Sequence, residues 1–213
     1  MKFLLFCLLL FFSLNSYCQK EEEISILKKQ IRLEENSIYF FCRGTTRKSA
    51  LIAHKFNKTD TNITHVGIGF LENRSLLIYN VTDNGNNRSA LLVDSLTSFI
   101  LSPDVYYLGI WKMRTGLKEY ENIVNTCKEY EKRKIYFDAS FLISNDDTLY
   151  CSEFCALVLE KGNKKFRFKP RSLKLNNPLY ESLLDRKELI YYPVDFFEAD
   201  KHFTKVFGYR FIN

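Results

Sequence analysis

Two short apolar segments on either side of a polar turn constrain the fold of this chain more than any other feature. "THVGIGF" and "SLLIYNV" flank "ENR", a pattern that predicts a β-hairpin and therefore antiparallel pairing. With the turn centred on Asn73 and Arg74, ladder geometry places His65 opposite Thr82. Asn80 then becomes the diagonal neighbour of the histidine on the same face of the hairpin, within reach of an imidazole nitrogen.

The remaining periodicity predicts further helices and strands around this hairpin. Helices are predicted at Glu21–Glu35, Arg47–Phe56, 94–100 with Asp94 or Ser95 as N-cap, Leu117–Arg133, and Cys151–Lys161 ended by Gly162. Strands are predicted at Ile38–Cys42, "ALLV", Val105–Met113, "ELIYYPV" and "FTKVFGYRF", whereas "YFDASFLISNDDT" is predicted to be a loop. Because the helices are segregated from a mostly antiparallel sheet, the pattern favours the α+β class.

The first residues have the composition of a leader. Lys2 precedes an apolar run over residues 3–14, which is too short to span a bilayer. We therefore predict a signal peptide over residues 1–18, cut after Cys18, and an exported protein that is periplasmic or extracellular. The alternative is an uncleaved membrane anchor.

The rest of the chain is long enough for one domain with a full core, predicted at residues 37–213 after an N-terminal helix within 19–36. Lys2 is the only charge in the leader, so the mature chain has 30 basic and 25 acidic residues, a balance of +5. No basic stripe with interleaved aromatics is present, which predicts no nucleic-acid partner. The mild charge permits weak contact with a cell wall or a membrane surface. The sequence leaves the oligomeric state open.

Cys151 stands at the start of an apolar helix in "DDTLYCSEFCALVLEKG", after a polar turn at residues 146–148. The free amides and the dipole of a helix N-terminus favour a thiolate there and can stabilise a developing oxyanion. Cys155 falls in the apolar stripe of the same helix and is predicted to be core. The position of Cys151 is typical of a nucleophile, and the alternative is a buried structural cysteine.

The other cysteines favour neither a disulfide framework nor a metal centre. Cys151 and Cys155 are one helical turn apart, which is a poor geometry for a disulfide. Cys127 shares the apolar face of its predicted helix, whereas a Cys42–Cys127 disulfide stays open. A single C-x3-C lacks the paired ligand spacing of a structural zinc site, so we expect no metal and no organic cofactor.

A cysteine nucleophile needs a base, and the chain has three histidines. His54 falls in a short helix and His202 in a charged loop, whereas His65 begins a strand and is a candidate general base. Asn80, beside it in the hairpin, would orient the imidazole. The alternatives are a structural histidine and an asparagine that only ends its strand or, as part of an N-x-T sequon, carries a glycan.

"THVGIG" followed about 85 residues later by "FDASFLISNDDTLYCSEFCALVLE" resembles the YiiX/YebB-like cysteine hydrolases, the circularly permuted branch of the NlpC/p60 papain-like superfamily. The family motifs run S-H-V-G-I first and F-D…D-D…Y-C-S-E-L later. "IYFFCRG" resembles the early strand of the family and "IYYPVDFF" its closing Tyr-Pro-x-Asp segment, so the resemblance spans about Ser37 to Phe197. The permutation accounts for a histidine that precedes the cysteine.

The resemblance implies a circularly permuted papain-like fold with Cys151 as nucleophile and His65 as general base. It places Asn80 at the third polar position, where the family often has Glu. Four further residues match the motifs or adjoin the cysteine, and are assigned to substrate binding or support: Tyr150, Ser152, Glu153 and Asp138.

The expected function is that of a secreted thiol hydrolase, peptidase-like or amidase-like. It would cleave an amide or related acyl bond through a thioester, and cell-wall peptides are candidate substrates by analogy with the family. One alternative is a lipid-directed acyl hydrolase or acyltransferase with the same Cys–His pair. A second is a non-catalytic binding domain that keeps the fold.

Overall fold

The centre of the molecule is a six-stranded antiparallel sheet. A computed structural model describes residues 19–47, 50–85, 89–143 and 146–211, leaving aside the side chains at 51 and 52. The helices are α1 (19–30), α2 (Ala50–Phe56), α3 (Leu96–Ile100), α4 (Leu117–Glu131), α5 (Cys151–Gly162) and α6 (Pro178–Leu184). The strands are β1 (Ile38–Thr45), β2 (His65–Glu72), β3 (Ser75–Val81), β4 (Leu91–Asp94), β5 (Val105–Met113), β6 (Tyr136–Phe137), β7 (Thr148–Leu149), β8 (Arg171–Lys174), β9 (Glu188–Tyr191) and β10 (Phe203–Arg210). The sheet order is β10-β5-β1-β2-β3-β4.

Strand β1 lies inside the sheet and is buried on both faces, which accounts for its continuous apolar sequence. Ile38, Phe40 and Cys42 point into one core cluster, to which α4 and α5 contribute. Tyr39 and Phe41 point into the other, which includes side chains of α1 and α3. Helices thus cover both faces of an antiparallel sheet, and the predicted α+β class is confirmed.

The hairpin β2–β3 has the predicted register. Ile68 pairs with Tyr79, and the ladder closes at the turn formed by Asn73 and Arg74. These two residues have φ values of 49° and 63°, as a two-residue turn that matches the twist of its strands requires. Because the turn fixes the register, it also fixes which side chains near His65 share a face.

Helix α1 is shorter than the sequence predicts. The helix was expected over Glu21–Glu35, but it ends at residue 30. Ile31 remains buried, and the N–H of Glu34 donates to the hydroxyl of Tyr39 (2.8 Å) rather than to a helical carbonyl. The side chain of a neighbouring strand therefore competes with the last predicted turn of this helix.

Helix α5 begins at Cys151 as predicted, but Gly162 is its last residue rather than a glycine beyond its end. Asn163 is the C-cap in an extended conformation. A Cβ at Gly162 would lie 2.6 Å from Cγ1 of Ile123 and 2.9 Å from its Cα. The glycine therefore allows α5 to approach α4 closely, and this contact holds the helix that carries Cys151.

The segment predicted to be a loop before α5 contains two short parallel strands. Tyr136 pairs with Thr148 and Phe137 with Leu149 in β6 and β7. This pairing holds the base of the connection that leads into α5. Residues 138–143 leave β6 and return over the start of the helix, where Phe141 packs on Tyr150 with ring centroids 5.2 Å apart.

The predicted signal peptide, residues 1–18, lies outside the described residues. Within the described ranges, none of the helices combines the length and the apolar character that a membrane crossing requires.

Candidate active site

A cavity of about 300 Å³ opens where the N-terminus of α5 meets the first residue of β2. Cys151 and His65 both line it. Most of its other lining residues come from the end of β1, from α2, from the 138–143 connection and from β9 with the residues after it, and others lie just after β3 and around the start of β5. The cavity therefore collects side chains that are distant in sequence around the two residues predicted to carry chemistry.

Cys151 is the first residue of α5 and is 9% exposed. Tyr150, the N-cap, has an extended backbone and makes no side-chain cap hydrogen bond, so the first amides of the helix stay available. The N–H groups of Ser152 and of Val66 on β2 hydrogen-bond the sulfur of Cys151. The sulfur thus lies between the start of a helix and the start of the strand that carries His65.

A chain of hydrogen bonds orients His65. Its Nε2 lies 2.9 Å from Oδ1 of Asn80, as the hairpin register predicts. The Nδ2 of Asn80 donates to Oδ2 of Asp94 at 2.9 Å. A carboxylate only accepts hydrogen bonds, which fixes the carboxamide with its oxygen toward the histidine. Nε2 therefore carries the proton, and Nδ1 is left as the basic nitrogen.

The surroundings keep His65 neutral. Burial and, to a lesser extent, the positive charge of Arg43 lower the pKa of the imidazole to about 3, although the hydrogen bond to Asn80 opposes both effects. The ring of Phe99 lies 5.8 Å from the imidazole, centroid to centroid. At neutral pH the resting histidine can therefore accept a proton.

The sulfur does not have the depressed pKa that the helix N-terminus predicts. Burial raises the pKa of the Cys151 thiol, although hydrogen bonds from Val66 and Ser152 and the charge of Arg43 lower it in part. The loss of hydration outweighs the helix amides, because the cysteine is almost fully covered. The resting pair is thus a neutral thiol beside a neutral imidazole.

Tyr150 and Ser152 fasten the cysteine to the segment after β9. The hydroxyl of Tyr150 accepts from the N–H of Tyr192 (2.8 Å), and the hydroxyl of Ser152 donates to the carbonyl of Tyr192 (2.7 Å). Both side chains are buried, and burial raises the pKa of Tyr150. These two assigned residues position Cys151, and both of them also line the cavity.

Glu153 and Asp138 brace the approach to the cysteine. The side chain of Glu153 accepts from the N–H of Tyr150, and burial raises its pKa to about 8. Its Oε2 has no hydrogen-bond partner among the described residues. Asp138 accepts from the N–H groups of Ser140 (2.8 Å) and Leu142 and so shapes the connection above α5. Neither residue lines the cavity.

The remaining histidines and cysteines lie outside the cavity. The Nδ1 of His54 bonds the carbonyl of Thr61, and that of His202 bonds Asp200. All four cysteines in the described ranges are free and buried, so the Cys42–Cys127 disulfide that the sequence left open does not form. In the part of the chain that the structure describes, no three His, Cys, Asp or Glu side chains are grouped to hold a metal ion.

Two residues of the site were missed from the sequence. Asp94 was considered only as a helix cap, a role that Ser95 performs by accepting from the N–H of Ser98. Arg43 directly follows the predicted strand Ile38–Cys42 and pairs with His65 across β1 and β2. The β3–β4 pairing brings Asp94 to Asn80, and the β1–β2 pairing brings Arg43 to His65. Neither pairing follows from a local sequence motif.

The comparisons with known proteins bear on the fold alone. No protein-family model and no curated protein sequence matches this chain. Among solved structures, the crystal structure of the metalloprotein YiiX from Escherichia coli O157:H7 matches with a TM-score of 0.60 and 14% sequence identity. The match covers 83% of this chain and 98% of that one. The chain therefore has a YiiX-like fold, in agreement with the coarser part of the sequence resemblance.

Proposed function

We propose that this protein is an exported thiol hydrolase of the permuted NlpC/p60 papain-like type. Cys151 is the nucleophile, His65 the general base and Asn80 the residue that orients it. The observation that carries the proposal is the chain from Asp94 through Asn80 to His65, in a cavity shared with Cys151 at a helix N-terminus. Three side chains in these roles are what a nucleophilic cysteine mechanism needs.

The reaction proceeds in two acyl-transfer steps. The sulfur of Cys151 bonds to the carbonyl carbon while Nδ1 of His65 takes the thiol proton, and the histidine then gives that proton to the departing amine or alcohol. In the second step His65 takes a proton from water, whose oxygen attacks the thioester. The acid leaves, and the proton returns to the sulfur.

The start of α5 supplies donors for the oxyanion. The N–H groups of Cys151 and Ser152 belong to the first turn, where no helical carbonyl accepts them. These groups and the helix dipole favour negative charge that develops beside the sulfur. The same donors partly oppose the burial that keeps the resting thiol neutral.

A lipid-directed acyl hydrolase or acyltransferase is the second candidate, because much of the cavity wall is aromatic. Phe56 and Tyr191 pack at 5.8 Å, and Phe141 packs on Tyr150. All four side chains line the cavity. Such a wall suits an apolar acyl chain as well as an apolar peptide side chain.

The related structure is that of a metalloprotein, but this site does not fit a metal ion. His65 and Cys151 offer two donor atoms, and the described residues contain no group of three His, Cys, Asp or Glu side chains. Arg43 adds a positive charge beside this pair, since it lowers the pKa of both groups. A cation would be repelled there, and no step of the proposed reaction passes through one.

Mass spectrometry of defined substrates separates the candidates. The protein and its Cys151→Ala variant are incubated with peptidoglycan fragments, N-acyl peptides and phospholipids. Cleavage of peptides or of N-acyl bonds by the unmodified protein alone supports the amidase, whereas cleavage of phospholipids supports the lipid enzyme. Binding of a substrate without turnover by either form would identify a non-catalytic domain and refute the proposal.

A further inference from the structure

Arg43 brings a largely unpaired positive charge to the cavity. Its Nη1 donates to the backbone carbonyl of Phe99 at 2.5 Å, and its guanidinium lies 4.7 Å from the centroid of the Phe99 ring. Its Nε is buried and has no hydrogen-bond partner among the described residues. Arg43 nevertheless lines the same cavity as Cys151.

No carboxylate of the described residues forms an ion pair with this guanidinium. Asp94 is the nearby acidic group that raises the pKa of Arg43, but burial dominates and lowers that pKa to about 10. The Oδ2 of Asp94 is engaged by Asn80. A guanidinium taken out of water without a partner is unfavourable, so the free protein retains donors that a ligand anion would satisfy.

Polar groups surround the same part of the cavity. Thr45, Thr64 and Ser102 line it beside Arg43. Arg47 also lines it, with a side chain that is 57% exposed and pairs with Asp104 at 2.6 Å. The buried Arg43 is thus accompanied by hydroxyl groups and by a second, exposed guanidinium. The aromatic wall described above is formed by other segments of the chain.

We propose that the substrate carries an anionic group, a carboxylate or a phosphate, close to the acyl bond that is cleaved, and that Arg43 binds it. The inference rests on the proposed thiol hydrolase function and narrows its substrate class. The planar fork of Arg43 suits either anion. Substrates are then acylated acids, whose apolar part contacts the aromatic wall and whose anion reaches Arg43.

The pairing of Arg43 with His65 across the strands links anion binding to catalysis. The arginine charge lowers the pKa of His65 and also that of Cys151. An anion bound to Arg43 cancels much of that charge at the imidazole. His65 then becomes a stronger base when a matching substrate occupies the cavity.

Two alkylating reagents that differ only in charge test the inference without a known substrate. Iodoacetate and iodoacetamide both modify the sulfur of Cys151, and mass spectrometry measures each rate. Any effect of Arg43 on the sulfur itself cancels in the ratio of the two rates. We expect Arg43→Met to lower the iodoacetate/iodoacetamide ratio by about 10-fold or more, the scale of a charge-assisted hydrogen bond.

Two other substitutions serve as controls. Arg114→Met removes an exposed arginine that does not line the cavity and should leave the ratio unchanged. Arg43→Lys keeps the charge and should keep part of the preference, which also covers the case in which Arg43→Met does not fold. A change in the iodoacetamide rate of Cys151 on addition of acetate or of inorganic phosphate, absent in Arg43→Met, then indicates which anion the site prefers.

The inference and the proposed function fail in different ways. A ratio that is the same in the unmodified protein, Arg43→Met and Arg43→Lys overturns the anion site but leaves the thiol mechanism standing. A fall in both rates by the same factor also overturns it, because Arg43 would then act only on the sulfur. A Cys151 that neither reagent modifies overturns the thiol chemistry and, with it, this inference.

Discussion

Asp94 should control the reactivity of Cys151 although it touches neither the cysteine nor the histidine. It accepts a hydrogen bond from Asn80, and Asn80 in turn accepts one from His65. Asp94→Asn is nearly isosteric, but it replaces an obligatory acceptor with a carboxamide that can also donate. The carboxamide of Asn80 can then adopt either orientation, because the side chain at position 94 no longer requires its NH2 group. Part of the His65 population therefore carries its proton on Nδ1 instead of Nε2.

The size of the effect follows from the bonds involved. A hydrogen bond to a charged group contributes about 1.5–3 kcal/mol and one between neutral groups about 0.5–1.5 kcal/mol, so Asp94→Asn loses about 1–1.5 kcal/mol of orientation. We therefore expect a fall of about 5- to 10-fold in kcat or in the alkylation rate of Cys151. Asn80→Ala leaves Nε2 of His65 buried without a partner, at about 1–3 kcal/mol, and should lower the rate by about 5- to 150-fold.

A double-mutant cycle gives the decisive measurement. Alkylation of Cys151 by iodoacetamide is followed in Asn80→Ala, in Asp94→Asn and in the double variant. The double variant should be no slower than Asn80→Ala, since Asp94 acts through Asn80. NMR of the imidazole nitrogens should show the proton of His65 moving from Nε2 toward Nδ1 in Asp94→Asn. Asp83→Asn, which removes an exposed carboxylate that lines the cavity, is the matched control.

Additive losses in the double variant would show that Asp94 acts on the site independently of Asn80. An Asp94→Asn variant with an unchanged alkylation rate and an unchanged tautomer would contradict the orienting role altogether. Equal losses in Asp83→Asn would point to the net charge of the cavity rather than to the hydrogen-bond chain.

Three further predictions concern stability. Burial raises the pKa of Glu153 from its ordinary value of 4.5 to about 8, so the protonated form favours folding and stability is lost as pH rises between those values, by at most about 5 kcal/mol. Glu153→Gln should therefore have a higher melting temperature than the unmodified protein at pH 8.5 and the same one at pH 5. An equal difference in melting temperature at both pH values would contradict this. The pKa of His65 is lowered from 6.5 to about 3, so stability is lost as pH falls from 6.5 toward 3. In NMR spectra the ring C–H resonances of His65 should therefore not shift between pH 8 and pH 5. A titration of these resonances with a midpoint near pH 6.5 would refute the burial argument. Gly162→Ala places a Cβ 2.6 Å from Ile123 and should lower the free energy of unfolding in urea by about 1–3 kcal/mol, whereas an unchanged midpoint would show that α4 moves aside without strain.

The His65–Asn80 contact was predictable because it depends on a local turn. Only two residues, Asn73 and Arg74, separate β2 from β3, so the turn determines every cross-strand pair of the hairpin. The start of α5 was predictable for the same reason, since the polar turn and the apolar stripe that define it are adjacent in sequence. Local rules thus located each of the three residues to which we assign the reaction.

The remaining features depend on contacts between distant segments. Asp94 reaches Asn80 because β4 pairs with β3, and the register of that pair is not set by a tight turn. Arg43 reaches His65 because β1 pairs with β2 across a long connection that includes α2. A single sequence supplies the periodicity of each strand but not the register between strands joined by long connections.

The electrostatic state of Cys151 illustrates a further limit. A helix N-terminus predicts a stabilised thiolate, and the donors that would stabilise it are present at Ser152 and Val66. The opposing effect is the loss of hydration, which arises because Cys151 is almost fully buried in the folded chain. The sign of the shift is therefore a property of the assembled cavity, and no motif around the cysteine encodes it.

The neutral resting pair and the charge of Arg43 together determine which ligands the site can activate. Proton transfer from Cys151 to His65 creates a thiolate, which Arg43 stabilises, and an imidazolium, which Arg43 destabilises. A neutral substrate leaves that opposition in place. On the proposed mechanism, an anionic substrate neutralises Arg43 while the helix-start amides still hold the sulfur, so the imidazolium becomes easier to form. The same arginine would therefore favour the reaction of acylated acids over that of neutral compounds, and this selectivity would arise from one charge rather than from the shape of the cavity.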